Sequence, residues 1–230
     1  THQFFDPDDQ YVVPYVSGIP LIVYDPSAVE IDIKGFNDLW DPSLEDSLGL
    51  IDDARVTIGM VLLSMHQSMN TTDDAVLAEA AEKLDALRGN IHVLEYENLH
   101  NYLVSGDIAV AYTFTPLDAN PDLKVVWPEE GLGFGIDGCF IPVNAPHAKN
   151  ANRFLQYLLR PEVAAVCAEW QYYCSPNEAA KACLSESYLN NPVFNGIYDR
   201  IDDAEYVRNL SSEDEQKYQD IWTTFKLSMQ

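Results

Sequence analysis

The alternation of short apolar runs with amphipathic stretches is the feature that most limits how this chain can fold. The run "SLGLID" leads directly into the helical pattern of "DARVTIGMVLLSMHQSM", and "TTDDAVLAEAAEKLDALRGN" is followed by the extended run "IHVLEY". Further on, "AKNANRFLQYLLR" and "PEVAAVCAEWQYYC" predict two consecutive helices, with Pro161 in the first turn of the second. Strands that alternate with helices along the chain predict an α/β fold.

Local signals place the ends of several elements. The stretch "YVVPYVSGIPLIVYDP" predicts two extended segments separated at Gly18 and Pro20. In "TTDDAVLAEAAEKLDALRGN", Thr72 or Asp73 is the expected N-cap of the helix, and Gly89 is expected to end it. Near the end of the chain, "SSEDEQKYQDIWTTFKLSM" predicts an amphipathic helix whose apolar stripe includes Tyr218, Ile221, Trp222, Phe225 and Leu227.

The charge balance limits the partners. The chain has 37 Asp and Glu against 13 Lys and Arg, a formal charge of −24. Such a charge disfavours nucleic acid and anionic membrane surfaces, and it attracts cationic ligands. A solvated, solubilising surface accounts for most of these charges equally well. No apolar run approaches the roughly 18 residues of a membrane-spanning helix.

The cysteines and histidines give no sign of catalysis or metal binding. Cys139, Cys167, Cys174 and Cys183 lack the paired spacing of zinc sites, so the choice lies between one or two disulfides and buried free thiols. Cys174 and His147 are the nearest approach to a nucleophile and base, but no catalytic motif surrounds them. We therefore predict a protein that is not an enzyme and that needs neither cofactor nor metal.

One carboxylate stands out in the stretch "GFGIDGCFIPV", residues 133–143. Asp137 lies among glycines and apolar residues in a run that predicts a buried β-strand, where an unpaired carboxylate is costly. This placement predicts that Asp137 awaits a cation. The alternative is that Asp137 caps a turn or contacts a nearby backbone amide.

Two longer stretches carry a family resemblance. They are "DLWDPSLEDSLGLIDDARVTIGMVL" and "VVWPEEGLGFGIDGCFIPVNAPHAKNANRFLQYLLRPEVAAVCAEWQYYCSPNEAA". In the order "WPEEG", "D…IP", "FLQYLLRPEVA" and "SPN", they resemble the spermidine/putrescine-binding proteins of bacterial ABC importers, and the similarity runs from about residue 6 to the end. The resemblance implies a type II periplasmic-binding-protein fold, in which two α/β lobes joined by crossing strands close on a ligand.

The resemblance also implies that the N-terminal part of the first lobe is lacking, so that one complete lobe is present with part of the other. We expect residues 19–130 and 184–230 to form the second lobe. Residues 1–18 and 131–183 would supply the hinge strands and the remaining part of the first lobe. Self-association through the incomplete lobe is a further expectation.

The resemblance assigns roles to individual residues. Asp137 would accept hydrogen bonds from a ligand ammonium, and Asp53 in "DDAR" would hold the other end of a diamine from the opposite lobe. A helix N-cap is the competing role for Asp53, and the two roles are compatible. Tyr173 in "YYCSPN" and Phe114 in "AYTFTP" match aromatic positions of the pocket, although either could equally be a core residue.

Three positions depart from the family pattern. Val56 stands where the family has Glu, Gly135 where it has Trp, and Val207 where it has Gln. A pocket with these changes is larger or more apolar at one end, which suits an amine with a bulkier tail. A degenerate site that binds nothing is the alternative.

The function implied by the resemblance is capture of a polyamine or related cationic amine and its delivery to the membrane permease of an ABC importer. The implied location is periplasmic or extracellular, with a lipoprotein anchor as an option for the full-length form. The alternative is a ligand-free or degenerate lobe that acts as a partner-binding or sensory module.

Overall fold

The computed structural model describes residues 6–8, 10–114 and 122–229. The strands are β1 Val13–Gly18, β2 Leu21–Tyr24, β3 Leu48–Leu50, β4 Ile91–Leu94, β5 Val110–Thr113, β6 Lys124–Val126, β7 Gly133–Cys139 and β8 Glu205–Tyr206. The helices are α1 Ala54–Ser64, α2 Asp74–Ala86, α3 Leu99–Ser105, α4 Ala148–Leu158, α5 Pro161–Gln171, α6 Glu186–Leu189, α7 Pro192–Arg200 and α8 Ser212–Ser228. The predicted α/β class is confirmed. Thr115 and Pro116, the last two residues of the stretch "AYTFTP", lie outside the described residues.

The chain divides into two compact units. The first comprises Thr1–Gly18 and Gly135–Arg200, and the second Ile19–Phe134 and Ile201–Gln230. In the second unit, five strands form one mixed sheet in the order β4-β3-β5-β2-β6. Strand β3 runs parallel to β4 and β5, whereas β2 is antiparallel to β5 and β6.

The apolar periodicity of the second unit explains its packing. Helix α1 has buried residues on all sides because α2, α8 and the sheet supply a core around it. On α8, Tyr218, Trp222 and Phe225 are buried as the predicted stripe requires, but Leu227 is exposed. The prediction was wrong at Leu227, because this residue comes two positions after Phe225 and therefore lies on the other side of the helix, whereas Met229 packs against the core.

The first unit has fewer strands. Strand β1 pairs antiparallel with β7, with a register shift between Pro14 and Val16. The first two residues of β7, which belong to the second unit, pair with β8 there. Helices α4 to α7 make up most of the rest of the first unit.

The last of the three boundaries between the units falls after Arg200. Residues 184–200 belong to the first unit, whereas the sequence analysis placed the return to the second lobe at residue 184. Local contacts explain the difference: the Tyr188 ring stacks on Phe194, and its hydroxyl donates a hydrogen bond to the Tyr173 carbonyl. The backbone N–H of Ser185 also donates to the Glu169 carboxylate. That these two units correspond to the two lobes of the family stays a prediction.

Candidate ligand-binding site

Asp137 lies on β7, opposite Val16 and directly after the register shift in β1. The strand is confirmed, but the expectation that it is buried was wrong at this position: Asp137 and the adjacent Gly138 are exposed, because β7 pairs on one side only along this stretch. Nearby atoms still exclude enough water to raise the pKa of the Asp137 carboxyl. Among the residues that the structure describes, no side chain or backbone N–H bonds this carboxylate.

Ser17 connects two further predicted residues of the first unit. Its hydroxyl donates to the Gly135 carbonyl at 2.8 Å, and its backbone exchanges two hydrogen bonds with Cys174, the neighbour of Tyr173. The Tyr173 side chain is half-buried. A methyl group built on Gly135 would meet nothing within 4 Å, so this position faces open space. The sequence analysis missed Ser17, a small polar residue whose partners are more than a hundred residues away in the chain.

In the second unit, Asp53 is the N-cap of α1. Its backbone is extended, and its Oδ1 accepts a hydrogen bond from the Val56 N–H at 2.9 Å. The capping role is therefore confirmed, and no partner for Oδ2 exists within the described part of the chain. Val56 is half-buried and packs against the core.

The carboxyl ends of the parallel strands bring two more groups to the edge where Asp53 lies. Phe114 directly follows β5, next to β3 in the sheet, and it is half-buried against the core. Its ring lies 6.3 Å from that of Tyr96, which follows β4 and is exposed. Ligands of open α/β sheets bind outside this edge, so Tyr96 joins the candidates. Its position two residues after the run "IHVL" was the available signal.

A polar cluster behind the first turn of α1 was not predicted. The buried Arg55 guanidinium donates to Glu215 Oε2 at 3.1 Å and to Asn70 Oδ1 at 3.0 Å, and it lies 4.6 Å from the centre of the Tyr218 ring. Asn70 in turn donates to Glu205 and to the Tyr206 carbonyl. This cluster ties the start of α1 to β8 and α8.

The described residues include the two side chains that came nearest to a nucleophile and base in the sequence, Cys174 and His147. Cys174 is buried, whereas His147 is exposed at the start of α4 and forms no side-chain hydrogen bond there. Within residues 6–8, 10–114 and 122–229, no group of three His, Cys, Asp or Glu could hold a metal ion. None of the helices in these ranges is long and apolar enough to cross a membrane.

The four cysteines are free thiols. Only Cys174 is buried; Cys139 and Cys167 are half-buried and Cys183 is exposed. The alternative of four buried thiols is thus wrong for three of them, because they lie on helix and strand faces that the first unit leaves partly open.

A family model for bacterial extracellular solute-binding proteins matches residues 1–201. The chain belongs to this family.

Individual relatives are similar to the chain over most of its length. The chain is 36% identical over 193 residues to the spermidine/putrescine-binding periplasmic protein of Salmonella typhimurium, covering 81% of this chain and 56% of the relative. It is 34% identical over 211 residues to the Escherichia coli protein of the same name, covering 89% and 59%. A solved structure from Listeria monocytogenes, named as a spermidine/putrescine ABC transporter, matches with a TM-score of 0.92 and 29% identity, over 99% of this chain and 72% of that one. The chain spans little more than half the length of the curated relatives it matches.

Proposed function

We propose that this chain is part of an extracytoplasmic solute-binding protein that captures a polyamine or a related cationic amine between two lobes. The observation that carries the proposal is Asp137: an exposed carboxylate without a described partner, whose pKa is raised because nearby atoms exclude water, on a strand where relatives named for spermidine and putrescine align. An ammonium group that hydrogen-bonds this carboxylate stabilises its charged form.

Asp53 would hold a second ammonium group. Its Oδ1 is engaged in the helix cap, so Oδ2 is the oxygen for the ligand. The positive end of the α1 dipole opposes a cation there, which makes this the weaker of the two carboxylate contacts. Phe114, Tyr96 and Tyr173 would supply aromatic surfaces for the methylene chain and for cation–π attraction.

Two small or apolar side chains would set the ligand's shape. Gly135 leaves open space two residues before Asp137, and Val56 offers no hydrogen bond at the start of α1. A ligand with one strongly held ammonium and a bulkier or more apolar remainder suits this pair better than a slender triamine. A loss of polar contacts at Val207 acts in the same direction.

We propose delivery to the permease of an ABC importer, because a matched solved structure is named as an ABC transporter. We also propose a periplasmic or extracellular location, because the curated relatives are named as periplasmic proteins, with a lipid anchor as an option for the full-length form. Segments near Tyr15 to Gly18 and Gly133 to Gly135 would act as hinges during closure. The relatives are substrate-binding transport proteins, and we propose that this chain likewise lacks enzymatic activity and needs no cofactor.

The first test is calorimetric titration with putrescine, spermidine and spermine. Loss of a charge-assisted hydrogen bond costs about 1.5–3 kcal/mol, so Asp137→Asn should weaken the tightest of the three by about 10- to 100-fold. Glu162→Gln is the matched control, since it removes one exposed negative charge from the first turn of α5 in the same unit. If both variants weaken amine binding equally, the effect is general electrostatic attraction, and the assignment of Asp137 as a ligand contact is contradicted.

Asp53 needs two substitutions because it has two proposed roles. Asp53→Asn keeps an N-cap acceptor and should leave stability almost unchanged while it weakens amine binding by a few fold. Asp53→Ala should weaken binding similarly and also lower the unfolding free energy by about 1 kcal/mol. If Asp53→Asn binds the amine as tightly as the wild type, Asp53 serves only as the N-cap of α1.

A partner-binding or sensory module is the second candidate function. Large apolar side chains exposed on the first unit favour it. Self-association through this unit stays a prediction, and light scattering on the purified chain tests it: a monomer over the micromolar range would contradict it.

A further inference from the structure

A tyrosine hydroxyl in the first unit lies next to cysteine side chains. Tyr15 is on β1, and Gln171 Nε2 donates a hydrogen bond to its hydroxyl at 2.7 Å. The Cys167 thiol forms a hydrogen bond with the same hydroxyl. Cys167 and Gln171 are four residues apart on α5, so they share the side of this helix that meets Tyr15.

Cys139 approaches the same hydroxyl from β7. It is the register partner of Val13, two residues before Tyr15 on β1. Cys139, Tyr15 and Ala164 line one small cavity, and Ala164 precedes Cys167 on α5 by about one helical turn. Burial raises the pKa of the Tyr15 hydroxyl, and the Cys167 and Cys139 thiols act in the same direction because both are close to it. The two thiols are therefore neighbours in the contact between the strands and α5.

The other two cysteines lie elsewhere in the first unit. Cys174 is buried, and its backbone pairs with Ser17, near the opposite end of β1. Cys183 is exposed, two residues before the backbone N–H that donates to the Glu169 carboxylate. Glu169 and Cys167 are two residues apart on α5 and therefore lie on nearly opposite sides of the helix. The geometry thus favours one pair of thiols over the alternatives.

We propose that Cys139 and Cys167 form an intramolecular disulfide when the chain is oxidised. The oxidant is a small disulfide such as oxidised glutathione. One protein thiolate attacks it and releases a glutathione thiolate, and the second protein thiolate attacks the resulting mixed disulfide and releases the other. Two protein thiols and one glutathione disulfide thus give one protein disulfide and two glutathione thiols, which take up the two protons.

The surroundings of the two thiols permit this exchange. Both side chains are half-buried, so the oxidant reaches them from solvent. When Cys167 turns towards Cys139, the Tyr15 hydroxyl keeps its hydrogen bond from Gln171. Oxidation joins α5 covalently to β7, the strand that carries Asp137. The proposed extracytoplasmic location is oxidising and favours the disulfide, but the pairing of the thiols does not depend on amine binding.

The test treats the dilute 230-residue chain with oxidised glutathione, digests it without reductant and identifies linked peptides by mass spectrometry. We expect a cross-linked peptide that contains Cys139 and Cys167, and a fall in the number of titratable thiols from four to two. Because a disulfide needs Cα atoms within about 7 Å of each other, the cross-link also reports the spacing of the two residues. Cys139→Ser and Cys167→Ser should each abolish the intramolecular cross-link.

Cys183→Ser is the matched control, since it removes an exposed thiol of the same unit. It should leave the cross-link unchanged, and far-UV circular dichroism should show all three variants folded. The peptide map of the wild-type chain decides the pairing even if a serine variant fails to fold. A wild-type chain that keeps four thiols, carries only glutathione adducts, forms a disulfide-linked dimer or links Cys174 or Cys183 instead would overturn the inference. Amine titration of the same samples is a separate readout, so failure of one proposal is distinguishable from failure of the other.

Discussion

Replacement of Arg55 by Met tests whether the polar cluster behind α1 stabilises the second unit. The guanidinium donates to Glu215 and Asn70, stacks on the Tyr218 ring and is almost fully buried. Methionine keeps most of the aliphatic stem but loses the charge and all donors. The partners of Arg55 lie 14 to 160 positions away in the chain, so the substitution removes long-range ties rather than helix propensity.

The expected cost follows from the contacts. A charge-assisted hydrogen bond contributes about 1.5–3 kcal/mol, and a cation over an aromatic ring about 0.5–2. Three facts make the net loss smaller than the sum of these contributions. The Glu215 side chain is 39% exposed and regains water, and Asn70 Oδ1 keeps the 2.8 Å hydrogen bond from the Arg208 N–H. The buried Arg55 Nε has no partner among the described residues, so its removal ends an unfavourable burial. We therefore expect Arg55→Met to lower the unfolding free energy by about 2–3 kcal/mol.

Urea unfolding followed by tryptophan fluorescence measures this loss. A Trp170→Phe background removes the signal of the first unit and leaves Trp40, Trp127 and Trp222, all in the second unit. At a slope of about 2–3 kcal/mol per molar urea, the midpoint should fall by about 1 M. Arg88→Met, which breaks a surface pair with Asp85, is the control and should cost less than about 0.5 kcal/mol. Equal shifts in both variants would refute the stabilising role of the cluster.

Two further predictions concern protonation and packing. Because nearby atoms raise the pKa of the Asp137 carboxyl, acidification should protonate it at a higher pH than an ordinary Asp and weaken amine binding while the amine stays charged. The same acidification should favour the fold slightly at this residue, and Asp137→Asn should flatten the profile of amine affinity against pH. Gly49→Ala should lower the unfolding free energy by about 1–3 kcal/mol, because the new methyl group would lie 2.5 Å from Ile108 Cδ1. Gly135→Ala is the control and should be almost neutral, because this position faces open space; thermal unfolding of both variants measures the difference.

The sequence predicted the elements whose signals are local. The strand-to-helix junction at Asp53 and the N-cap at Asp73 are where the residues indicated. The predicted extension of α1 to Met69 was wrong: the helix ends at Ser64, and His66 adopts a positive φ of 56°. The region from residue 184 to 206 was also missed, because short helices and the two-residue β8 depend on contacts with distant segments.

In the candidate site, too, local features were predicted from the sequence, whereas features that depend on distant segments were not. Residue type and helix position identified the cap role of Asp53. The degree of burial of Asp137 could not be predicted, since it depends on which strands flank β7 rather than on the residues around it. Arg55 gave no signal either, because one arginine after two aspartates has no periodicity that distinguishes a buried cation from a surface one.

The partial exposure of Asp137 strengthens the argument for a reversible cation site. A carboxylate buried completely without a partner would take up a proton at neutral pH, and an arriving ammonium would then find a neutral group. A fully hydrated carboxylate would gain little from the ammonium, because water already solvates it. Asp137 lies between these limits: it is exposed on its strand, yet nearby atoms raise the pKa of its carboxyl, so a cation that hydrogen-bonds the carboxylate stabilises the charged form. Exposure therefore removes the premise that the carboxylate is sheltered in the absence of ligand, while the reason for a cationic ligand remains.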